Sequence, residues 1–219
     1  MTRGSGQSVR PLHARDTDAT AFTAILTDLI SRIPGAHSAA LVDSLGEAVD
    51  YTGRVAPFDV KVAGAHYKII VDELRSRPSF RGLRTLFVRG SRGSFAVRAI
   101  PDDYAIVVML SKRAGFATTR ALDVCERALI EEAGLSPRAL TSWTVVAVDC
   151  DKRRRPVRVT TLDRATSARA EVLGAVRGLP NRERGYRVRL ETGAELMLVR
   201  ELGGTWYAEE SIDHSASSS

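Results

Sequence analysis

Two cysteines in 219 residues, Cys125 and Cys150, are too few and too far apart to staple a scaffold with disulfides. Nowhere does an apolar run approach the roughly 20 residues that a membrane-spanning helix needs. The amino terminus, MTRGSGQSVRPLHARDTDAT, is basic but has no apolar stretch behind it, so a secretory signal is not expected and the default expectation is cytoplasmic. Only four histidines occur (His13, His37, His66 and His214), scattered and distant from the cysteines, which leaves no metal-ligand spacing. Neither G-x-x-x-x-G-K-[ST] nor G-x-G-x-x-G appears, so the phosphate-cradling loops of nucleotide enzymes are missing. The nucleophile elbow G-x-S-x-G is missing as well. The local sequences that come nearest to such motifs read as structure. Gly90-Ser91-Arg92-Gly93 lies between two strand-like runs as a hairpin turn, Asp102-Asp103 is a polar turn, and His66 sits mid-helix as a packed or edge histidine. These absences predict a protein that is not an enzyme and carries no cofactor and no metal.

What is present is ordinary for a globular chain: 44% hydrophobic and 26% charged residues, with a length suiting one large domain or two small ones. The formal net charge is +6, and all but four of the 32 basic residues are arginine (the lysines are Lys61, Lys68, Lys112 and Lys152). Arginine binds phosphates and stacks on bases, which admits a nucleic-acid partner. Codon usage in a GC-rich genome produces the same excess, and the acids are interspersed among the bases rather than segregated.

Residues 1–17 mix Gly, Ser, Arg and Pro without periodicity and read as a flexible arm; 211–219 read as a polar tail. A boundary is expected near residue 136, where Gly134, Ser136 and Pro137 end one block, 18–135, before a second at 141–210. In the first block Phe22, Ile25, Leu26, Leu29, Ile30 and Ile33 recur at helical spacing, with Thr17 or Asp18 as the cap and Pro34-Gly35 as the stop. SAALVD and EAVDYT are strands joined at Ser44-Leu45-Gly46. Pro57 opens a helix through about Arg77. LRTLFVRG, SFAVRAI and YAIVVMLS are three more strands, the last apolar on both faces and therefore central. A helix from Thr118 to Glu132 buries Ala121, Leu122, Cys125, Leu129 and Ile130. This order predicts an α+β fold, a five-stranded antiparallel sheet with helices on both faces.

The second block reads as a small α+β or barrel-like module of about 70 residues. WTVVAVD, PVRVTTL, YRVRLE, ELMLVREL and TWYAEE are strand-like, and a short helix is expected from Ser167 to Arg177. The basic turn Lys152, Arg153, Arg154 and Arg155 is the most concentrated positive charge, either a solvated hairpin tip or a contact for a polyanion. Arg154 and Arg158 have the R-x-x-x-R spacing of PilZ domains, but the companion D/N-x-S-x-x-G does not follow.

LTDLISRIPGAHSAALVDSLGEAVDYTG (26–53), with its Ile-Pro-Gly helix end and its L-V-D-x-x-G, resembles the Roadblock/dynein-light-chain family. The likeness continues through Ala63-Gly64-Ala65, LRTLFVRGSRGSFAVRAI and YAIVVMLS, and covers about residues 18–135. The resemblance implies a non-catalytic homodimer that scaffolds or regulates Ras-like small GTPases, including bacterial polarity and motility GTPases. It implies that paired copies of the second helix receive the GTPase. Lys61, Gly64, Lys68, Asp72 and Arg75 share one stripe of that helix, with Ala65 beside them, and are expected to face the partner. Ala63, His66, Ile70 and Leu74 are then expected to face the sheet. A dimer interface is expected at Ala63 and along the edge strand at Leu83, Thr85 and Phe87. A nucleic-acid or polyanion-binding module acting through the second block, and a purely structural dimer, are the alternatives.

Overall fold

The computed structural model describes residues 15–114, 119–135, 142–162, 166–179, 183–201 and 203–210. Most of the expected arm, the expected tail and the turn at Ser136-Pro137 lie outside the described residues. The chain divides into two compact units, one of residues 1–116 and 128–137, the other of 117–127 and 138–219.

The first unit follows the expected order. Helix α1 (Ala21–Arg32) leads into strands β1 (Ala36–Val42) and β2 (Ala48–Gly53), then helix α2 (Pro57–Ser76). A single 3₁₀ turn, Pro78–Phe80, precedes β3 (Thr85–Arg89), β4 (Gly93–Ala99) and β5 (Ala105–Ser111). The sheet runs β2-β1-β5-β4-β3, wholly antiparallel, with the apolar β5 at its centre as its composition required. Successive residues of β2 show that helices cover both faces, because side chains alternate along a strand. Asp50 meets Thr20 and Thr23 of α1, whereas Tyr51 joins Val60 and Val71 of α2 in one core cluster.

The α1 cap differs from expectation. Thr20, not Thr17 or Asp18, is the N-cap, and its hydroxyl accepts from the Phe22 N–H at 3.1 Å. Its own proton goes to Asp50 Oδ2 at 2.6 Å, so the cap is fixed from β2. The arm also ends earlier than residue 17. Arg15 Nη2 reaches Asp50 Oδ1 at 2.5 Å, and Asp16 pairs with Lys61 at 2.7 Å. Asp50 is buried; burial pushes its carboxyl up, but the bonds from Thr20, Thr23, Arg15 and the Tyr51 N–H outweigh that and hold it below the ordinary range.

Helix α3 (Thr119–Ala133) begins in the second unit and ends in the first. Among the described residues, the other regular elements of the second unit are strands. Strands β6 (Ser142–Cys150), β7 (Pro156–Thr161), β8 (Ser167–Val176), β9 (Arg184–Leu190), β10 (Glu195–Arg200) and β11 (Trp206–Glu210) form a meander that closes into a barrel through β11 and β6. An even strand number lets an antiparallel meander close without a free edge. Val146, Val159, Val188, Leu198, Trp206 and Ala208 fill the interior.

The helix expected at 167–177 is strand β8. Its burial alternates along the segment, with Ala168, Ala170 and Val172 inward, so the two-residue period outweighs the helix preference of its alanines. The second block is therefore the barrel-like alternative rather than α+β within its described residues.

On the outer side, Arg120 of α3 donates to Glu183 Oε2 at 2.9 Å and Glu201 Oε1 at 3.3 Å. Its guanidinium carbon lies 4.5 Å from the Trp143 ring centre.

Candidate functional site

Helix α2 carries the residues expected to meet a partner. Pro57 starts it, since a missing N–H costs nothing in the first turn. Its buried residues are Val60, Gly64, Lys68 and Val71, one stripe at four-, four- and three-residue steps. The helix is thus turned from the expected phase, and Gly64 and Lys68 face the sheet. The reason is steric: a Cβ on Gly64 would come 2.9 Å from Val42 Cγ2, so glycine is what lets α2 lie down on β1. Lys68 runs its stem along that face, and its ammonium pairs with Asp72 at the rim. Lys61 is held by Asp16, an ion pair that raises the Lys61 pKa and lowers that of Asp16. Arg75 lies 3.8 Å from Asp103. The polar members of the stripe are engaged within the chain. Ala65 sits under the β1–β2 turn, close to Gly46. Ala63 packs against the sheet core, as do Tyr67 and the buried Val71, while His66, expected inward, is exposed.

The outward face of α2 carries an apolar stripe beside the exposed Asp59, His66 and Glu73. Phe58, Val62 and Ile69 are 74%, 50% and 65% exposed, at spacings that place them on one stripe with Ala65 between. Leu45, 83% exposed, stands on the β1–β2 turn that reaches Ala65. In the sequence this stripe is masked, because a surface helix is expected to carry one apolar face. The available signal was that α2 carries apolar residues on two faces, more than a one-sided surface helix buries.

Strand β3 is an edge, paired with β4 alone among the described residues. Thr85 and Phe87 lie on it and Leu83 just before it, all partly buried; Arg98 Nη1 donates to Thr85 Oγ1 at 2.6 Å.

The basic turn joins β6 to β7. Asp151 Oδ1 accepts from the N–H groups of Arg153 (2.8 Å) and Arg155 (2.9 Å), and Oδ2 lies 3.3 Å from Arg155 Nε. The Arg155 and Arg153 N–H groups hold the Asp151 carboxyl below its ordinary range. Lys152, Arg153 and Arg154 are all exposed, and Arg154, at a φ of 61°, also lines the cavity at the barrel end. Among the described residues no three His, Cys, Asp or Glu side chains are grouped to hold a metal ion, and no helix is long and apolar enough to cross a membrane.

No family model matches this chain, and no curated protein does. Among solved structures it is similar to Myxococcus xanthus MglB, with TM-score 0.46 and 16% identity over 54% of this chain and 98% of that one. It is similar to the gliding protein MglB of Thermus thermophilus, with TM-score 0.46 and 14% identity over 53% and 93%. It is also similar to the Roadblock/LC7 domain from Streptomyces avermitilis, with TM-score 0.35 and 16% identity over 50% and 88%. The family named for the Streptomyces domain is the one that residues 26–53 resemble.

Proposed function

We propose that residues 18–135 act in the cytoplasm as a non-catalytic, homodimeric platform that regulates or tethers a Ras-like small GTPase, in bacterial polarity or motility. The observation that carries this reading is the outward apolar stripe Phe58, Val62 and Ile69 on the helix that the sequence resemblance makes the platform. Such large side chains in water on one stripe mark a contact surface. The open edge of β3 offers a second place for a copy of the chain to pair. Partner contact falls on this stripe rather than on Lys61, Gly64, Lys68, Asp72 and Arg75, whose groups serve α2 itself. The platform works by positioning the GTPase's switch loops, because α2 extends no arginine on a loop to reach a phosphate.

Binding to Ras-like GTPases of the same genome, each locked with GDP or a non-hydrolysable GTP analogue, tests the reading. One GTPase should bind in a nucleotide-dependent way, and Val62→Glu with Ile69→Glu should abolish the binding in a folded protein. Binding by none of them, or undiminished binding by the double variant, would refute it.

A further inference from the structure

Three arginines from separate parts of the chain line one cavity of about 370 Å³ at an end of the barrel: Arg154 of the β6–β7 turn, Arg184 at the start of β9 and Arg200 at the end of β10. Val148, Cys150 and Trp206 complete its walls. Arg184 and Arg200 are direct cross-strand partners, and Trp206 is the next partner of Arg200. Like charges directly opposite one another destabilise a sheet, so this pair is a cost to the fold unless something offsets it. No carboxylate of the chain forms an ion pair with these arginines among the described residues, although Asp149 and Asp151 act on the neighbouring Cys150. The acids beside these arginines in sequence are committed elsewhere: Asp149 to Arg158 at 3.9 Å, Asp151 to Arg155 and its own turn, Glu183 and Glu201 to Arg120. Arg154 adds a third charge from a left-handed backbone position that non-glycine residues seldom adopt, its carbonyl receiving the Tyr186 hydroxyl at 3.4 Å.

We propose that this barrel end binds the phosphoryl group of a small phosphomonoester. Three guanidinium groups present more donors and charge than one carboxylate can use, whereas a phosphate dianion with three terminal oxygens matches them. The cavity walls beyond the arginines are Trp206, Val148 and Cys150, a surface for the organic portion of the ligand. Its size lies near the small end of the roughly 300–1,000 Å³ range of ligand pockets, which favours a small molecule over a polymer. Lys152 and Arg153 do not line it. This inference is independent of the GTPase reading.

Calorimetric titration of the full chain with inorganic phosphate, with a nucleoside monophosphate and with a single-stranded oligonucleotide tests the assignment. Phosphate and the monophosphate should bind and raise the Tm, and both should protect the exposed Cys150 thiol from alkylation. Arg184→Gln and Arg200→Gln should each lose roughly tenfold or more in affinity, while Lys152→Ala with Arg153→Ala should change it less than about twofold. Removing one of two opposed positive charges should leave the ligand-free Tm of Arg184→Gln at or above that of the parent. Should either glutamine variant fail to fold, Arg184→Lys and Arg200→Lys keep the charge, lose the bidentate fork and should still weaken binding. Absence of phosphate and monophosphate binding at millimolar concentration would overturn the proposal, as would parental affinity in the arginine variants. Binding of the oligonucleotide alone, lost with Lys152 and Arg153, would overturn it in favour of a polyanion surface.

Discussion

Gly64 of α2 and Val42 of β1 leave no room for a methyl group between them: a Cβ on Gly64 would lie 2.9 Å from Val42 Cγ2. Val42 is fully buried and stiff at χ1, so the neighbour cannot swing aside. Gly64→Ala would gain up to about 1 kcal/mol of helix propensity but overpack the contact at a cost of about 1–3 kcal/mol. The expected net loss is about 1 kcal/mol, read by urea unfolding, and Val42→Ala in the same chain should recover part of it. Gly64→Arg, far larger than a methyl group, should prevent α2 from seating on the sheet. A Gly64→Arg protein with parental Tm would contradict this packing.

Asp50 gathers Arg15, Thr20 and Thr23 around one buried carboxylate. Asp50→Ala would strand these donors at once, and a loss of about 3 kcal/mol is expected. Because the folded pKa is lowered, the group's contribution is fully present above its ordinary value of 3.8 and disappears as pH falls through the lower folded value. Asp50→Asn should therefore flatten the acid limb of a Tm–pH curve. An unchanged acid limb would show that the carboxylate is not what ties α1 to β2.

Val62→Glu and Ile69→Glu alter exposed positions and should shift stability by no more than about 0.5 kcal/mol each. Light scattering at tens of micromolar should nevertheless change from dimer to monomer if the stripe is the contact between copies. Parental mass with both substitutions would move the dimer contact to the β3 edge.

The first unit was legible because its signals agree: helical spacing in α1, Pro57 opening α2, and a β5 apolar on both faces that takes the sheet's centre. The rotation of α2 was not, because Lys68 on a helix reads as an outward residue and Gly64, four positions before it, falls on the same stripe. Only the contact with Val42 distinguishes a glycine serving the core from one serving a partner. In the barrel, the alanines of β8 masked a two-residue alternation that was present all along. The basic turn was visible as a charge run, but its meaning changed with topology. Arg184 and Arg200 are 16 positions apart in the chain and become neighbours only when β9 pairs with β10.

Arg120 serves two carboxylates, Glu183 and Glu201, and one guanidinium neutralises only one of them. Burial, together with the Glu183 charge, raises the Glu201 pKa against the pull of Arg120, to about 7 from 4.5. Between these values the folded protein holds a proton that the unfolded chain has released. Stability from this group is thus fully present below 4.5 and falls as pH rises to 7, by up to about 3 kcal/mol. Glu201→Gln mimics the protonated acid, keeping an acceptor for Arg120 and removing the charge. The variant should lose most of the parental decline in Tm between pH 4.5 and 7 and exceed the parental Tm at pH 8. Near-ultraviolet circular dichroism should keep the signal of Trp143, which lies against Arg120, if the cluster retains its geometry. A variant as pH-dependent as the parent would place the titration on another group, and a variant less stable at pH 8 would show that the Glu201 charge is needed by Arg120.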